Sequence, residues 1–125
     1  MNASADREDR ARAVLDAATA AQWWANAVRA QQQATPSHTD FYALAAHLVA
    51  TLYALDDLAV LLSSQVGRYG QDRPLYDDTR TVDPADRLAD AVDCLHRVHD
   101  ALETTAVAAN EFWSAIGHIG VEVAP

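Results

Sequence analysis

From Phe41 to Tyr69, apolar side chains recur at alternating spacings of four and three, through Phe41, Ala45, Leu48, Leu52, Leu55, Ala59, Leu62, Val66 and Tyr69. That alternation is the heptad seam of an α-helix and is incompatible with the period of two that a strand requires. A second stripe runs one residue out of phase through Tyr42, Val49, Tyr53 and Val60, while Leu44, Leu58 and Leu61 widen the arc further. A helix at the edge of a globule needs an apolar stripe of roughly 100°. This one is wider, which predicts a central helix with at least two neighbours and room for a third from a second chain.

The flanking segments supply neighbours of matching length. Asn2 or Ser4 is placed to cap a first helix over about 5–33, with Asp6, Glu8 and Asp9 near the positive end of its dipole. Its expected inner face is Val14, Ala17, Ala18, Ala21, Trp24, Ala25 and Val28, a seam of small groups that Ala45 and Ala59 are suited to meet. Pro36 ends this helix, and Ser37-His38-Thr39-Asp40 resembles a capping box for the second, over 38–68, with Gly67 or Gly70 as its left-handed terminator. The linker 70–83 carries Asp72, Arg73, Pro74, Tyr76, Asp77, Asp78 and Arg80, a composition that predicts a solvated excursion. Asp83-Pro84 then sets the N-cap and first position of a third helix over 84–117, whose seam runs Leu88, Val92, Leu95, His99, Leu102, Ala106, Ala109, Trp113 and Ile116. The β-branched pair Thr104-Thr105 lowers helix propensity near its middle and marks the place where three helices would become four. The resulting expectation is an all-α, antiparallel up-down-up bundle of three long helices in one domain, 1–125, that dimerises.

Charge and composition narrow the function. Nine arginines, no lysine and eighteen acidic residues in 125 give a net charge of −9, which repels phosphate backbones and anionic lipid and argues against nucleic-acid and membrane partners. No uninterrupted apolar run approaches the ~20 residues of a membrane span. Residues 1–12 lack the apolar core of a secretory signal, and a lone Cys94, expected to be buried or half-buried, suits a reducing compartment, so a cytoplasmic location is expected.

Chemistry-bearing patterns are sparse. Asp93, His96, His99 and Glu103 lie along one flank of the third helix at metal-ligand spacing, with Asp100 beside them and His47 or Asp57 available from the second helix. The repeated Glu-x-x-His of di-iron bundles is missing, so no metal is favoured and no cofactor is expected. This flank is the alternative reading, a metal- or small-ligand-binding bundle. A histidine on the seam is more simply a hydrogen-bonded interface residue, and a buried neutral His99 would make acid destabilising. Cys94, Ser63 and Ser64 lack the glycine-rich turn of an activated nucleophile, and no phosphate-cradling loop occurs, so no catalytic residue is assigned and enzyme activity is not expected. Tyr53 and Asp57 form the Tyr-x-x-x-Asp pattern of small helical type VII secretion substrates, but it lies mid-helix with no Trp-x-Gly turn and assigns no family. The sequence thus points to a non-enzymatic helical protein that self-associates and docks to another protein. Trp23, Tyr42, Tyr53 and Phe112 are its candidate contact residues.

Overall fold

The computed structural model describes residues 2–123. Among them the fold is all-α, with three long helices in the order α1 (Ala3–Gln33), α2 (His38–Arg68) and α3 (Pro84–Ile116), and no strand. The chain divides into two units, Met1–Ser37 and His38–Pro125.

The first unit is α1. Asn2 caps it by accepting the Ser4 N–H at 3.0 Å, Asp6 sits in the first turn, and Ala34 turns the chain extended two residues before Pro36. Its side-chain pairs are local, as in Arg10 with Asp6 at 3.5 Å and Gln22 with Asn26 at 3.1 Å. No residue of α1 is buried, and Val14 and Val28 of the expected inner face are exposed. Trp23 is 66% exposed and Trp24 is half-buried, which settles how the adjacent indoles diverge.

The second unit is an antiparallel hairpin of α2 and α3. Its sense is fixed by contacts at three levels: Tyr42 with Trp113, Asp56 with His99, and Gly67 with Val92. The buried line on α2 is Ala45, Val49, Leu52 and Ala59, facing Ala106 and Ala109 of α3, with Leu102 and Trp113 packed against it. This line is rotated from the predicted seam. Val49 joins it from the second stripe, while Leu48 and Leu55 are left 40% and 45% exposed. The reason is steric: an arc this broad cannot all face one helix, and the alanines at 45, 59, 106 and 109 let the two axes approach where they meet. By length and composition alone α2 is apolar enough to cross a bilayer, which run length did not indicate, although Asp56 at its middle is paired with α3.

Three local expectations change. α3 does not break at Thr104-Thr105, because the two hydroxyls bond back to the carbonyls of Asp100 and Ala101 at 3.2 and 2.7 Å and the helix absorbs them. No described glycine adopts a positive φ; Gly67 lies within α2, and Gly70 and Gly117 serve close approach instead. A Cβ at Gly117 would stand 3.1 Å from the Tyr42 ring, and one at Gly70 would stand 3.3 Å from Leu75. The linker, finally, is not wholly solvated, since Asp77 is buried in it. Its carboxylate accepts from the Thr79 N–H at 3.1 Å, from the Thr79 hydroxyl, and from Arg87 Nε at 2.7 Å, which ties the linker to α3. These hydrogen bonds, Thr79 first and Arg87 next, lower the Asp77 pKa to about 2. Arg80, at φ 59°, takes the left-handed turn that follows, with its guanidinium 4.2 Å from the centre of the Tyr76 ring.

Candidate functional site

The hairpin has two flanks of different character on either side of its buried line. One is polar and aromatic. There the Tyr42 ring meets Trp113 at 5.9 Å between centroids, and the Tyr53 hydroxyl accepts from Asn110 Nδ2 at 2.9 Å. Trp113 Nε1 is buried without a hydrogen-bond partner, a kind of vacancy that costs about 1–3 kcal/mol.

At the middle of the hairpin, two seam positions carry polar side chains. His99 Nδ1 lies 2.5 Å from Asp56 Oδ1 across the helices, and its Nε2 lies 3.4 Å from Glu103 one turn on. The Asp56 hydrogen bond raises the His99 pKa against the opposing effect of burial, with the charges of Asp56, Glu103 and Asp100 adding to the rise. His99 is thus the hydrogen-bonded interface histidine expected from its seam position, but it is not the neutral form that would make acid destabilising. It is part-exposed and favours the charged form, so acid does not destabilise the fold through it.

These three groups form the one set of possible metal ligands among the described residues, with ligand atoms within 4.8 Å of one another. The structure thus brings together His99 and Glu103 of the predicted flank and adds Asp56 from α2, which spacing along α3 has no means to reveal. Asp93 and His96 are not part of the set. Each imidazole nitrogen faces a different carboxylate, an arrangement that suits a doubly held imidazolium better than three donors converging on one ion.

The candidate contact residues are distributed rather than gathered. Tyr42 and Tyr53, eleven residues apart and so about 20° apart on α2, share the polar flank. Phe112 stands on the other flank of α3, and Trp23 belongs to α1; all four are exposed. Cys94 is exposed as well, against expectation, because it lies outside the arc of α3 that faces α2; Arg97 Nη2 approaches its sulfur at 3.1 Å. No glycine-rich turn or second nucleophile accompanies it.

The opposite flank of the hairpin is apolar and open. On α2, Leu44, Leu48, Leu55, Leu58 and Leu62 all lie about 140–180° around the helix from Tyr53. Leu48, Leu55 and Leu58 are 40%, 45% and 44% exposed. On α3, Val98 and Phe112 lie about 120–180° from Glu103 and Asn110, on the same side of the antiparallel pair, and both are exposed.

Comparison with protein-family models, with curated proteins and with solved structures finds no match. The function is accordingly read from these surfaces.

Proposed function

We propose that this protein acts by association, joining other polypeptides, itself included, through apolar helix faces, and that it is not an enzyme. The observation that carries this reading is the amount of apolar surface left open. Val14, Leu15, Trp23 and Val28 are open on α1, and Leu48, Leu55 and Leu58 of the leucine flank are open on α2. Contiguous apolar patches beyond a few hundred Å² mark interaction sites. Most of a helix's stability in a protein comes from packing of its apolar face, which gives such faces reason to seek a partner.

Light scattering over a hundredfold concentration range, read together with binding of an apolar dye, tests the reading. A mass above 13.5 kDa supports it, as does a monomer that binds the dye strongly. A monomer that binds no dye, with amides of α1 and of the leucine flank protected from hydrogen exchange, has covered its faces internally and overturns it.

The second reading is a divalent cation held by Asp56, His99 and Glu103, favoured only by their proximity. Elemental analysis after dialysis against zinc tests it. Stoichiometric metal that His99→Ala abolishes would support the site, and metal-free protein would remove it.

A further inference from the structure

We infer that the occupant of the leucine flank is a second copy of this chain, its α2 lying antiparallel to the first about a two-fold axis near residue 53. The inference rests on the association reading and names the partner and register that the reading leaves open.

Three observations carry it. The first is pattern. Leu44, Leu48, Thr51, Leu55, Leu58 and Leu62 follow the spacing four, three, four, three, four, which reads the same in both directions. A two-fold contact requires that if residue i meets j, then j meets i. Reversal about position 53 sets Leu44 against Leu62, Leu48 against Leu58 and Thr51 against Leu55 of the other copy. Heptad seams of this kind pack knobs into holes along nearly parallel axes.

The second observation is charge. With a net charge of −9, two copies repel each other unless they meet where carboxylates are absent. The leucine flank meets that condition. On α2 it contains no acidic residue, and the adjoining line on α3, with Ala91, Val98, Thr105, Phe112 and Ile116, contains none either. The opposite flank carries Asp57 and Glu103 and is unsuited to self-contact.

The third is area. A standard specific interface removes about 800 Å² from each partner, and obligate homodimers more. The leucine row, flanked by Val98 and Phe112, spans 44–62, a length of about 27 Å at 1.5 Å per residue. That row is long enough for a stable helix pair.

Cysteine cross-linking in a Cys94→Ser background tests partner and register together. Positions 48 and 58 are about 15 Å apart along one helix, beyond the reach of a disulfide within the chain. In the antiparallel dimer each faces the other across the axis. The double variant Leu48→Cys/Leu58→Cys should therefore form covalent dimers on oxidation, while neither single variant does. Leu55→Asp should reduce the mass of the native assembly to 13.5 kDa with helicity unchanged. A single variant that cross-links to itself indicates parallel helices and overturns the inference, as does an assembly whose double variant stays uncross-linked. In both of those cases the association reading survives, because the assembly still forms. A monomer that binds dye overturns the second copy as occupant and leaves a different polypeptide in its place. A monomer whose faces are covered by its own α1 overturns both.

Discussion

His99 shows how a partner from another helix sets the charge of a seam histidine. On the seam it reads as a hydrogen-bonded interface histidine; in the hairpin that partner is Asp56 from α2, and the hydrogen bond raises its pKa. The groups facing it are Asp56 from α2 and Glu103 and Asp100 from its own helix. A group with a raised folded pKa contributes stability that is fully present below its unfolded value, about 6.5. That contribution is lost as pH rises through the folded value. Urea midpoints should therefore fall from pH 6 toward alkaline pH, and His99→Gln should remove that part of the slope; a midpoint that rises over the same range would contradict the ion pair. Asp77 has the opposite sign. Its pKa is lowered to about 2 by Thr79 and Arg87, so its contribution is complete above the ordinary carboxylate range and is lost as pH falls toward 2. At neutral pH, Asp77→Asn should speed hydrogen exchange across residues 75–82 and leave the exchange of mid-α2 amides unchanged.

Among the elements, α2 was the most legible, and its legibility had a definite limit. Helix type and boundaries were readable because period and caps are local: Asn2, Pro36 and the Asp83-Pro84 pair each act within a turn of where they sit. Which side of α2 meets α3 was not, since Val49 and Leu48 are equally apolar and only the close approach through Ala45, Ala59, Ala106 and Ala109 selects between them. The same limit hid Asp56 as the partner of His99, a contact across 43 residues that no spacing along one helix encodes. It also hid the buried line and the leucine flank of α2 as separate surfaces. Substitutions separate them. Leu52→Ala empties a site packed against Ala109 and Leu102 and should cost about 2–5 kcal/mol of hairpin stability. Leu55→Ala, at a position already 45% exposed, should cost about 1 kcal/mol or less in dilute protein. Equal losses by tryptophan-fluorescence urea titration would mean that the buried line is wrongly placed on α2.

For the molecule as a whole, the question is whether its open apolar surface outweighs its own charge. Each added copy brings another −9, a repulsion that acts between exposed carboxylates and is screened by salt over about 8 Å at physiological ionic strength. Burial of the leucine flank is not screened. Association should therefore strengthen, not weaken, between 50 mM and 500 mM sodium chloride, the reverse of a complex held by ion pairs. If unfolding and dissociation are one event, the melting temperature depends on protein concentration by mass action, and a tenfold increase adds about 1.4 kcal/mol per dimer. With an unfolding entropy of about 2.1 cal/mol/K per residue, two chains of 125 residues give a rise of about 2–3 °C for each tenfold increase. Leu55→Asp should flatten that dependence, because it places a carboxylate in the acid-free flank, whereas His99→Gln should lower the melting temperature equally at every concentration. A wild-type melting temperature that is constant over a hundredfold range would show that the hairpin unfolds as a single chain, and the leucine flank would then contribute nothing to holding two copies together.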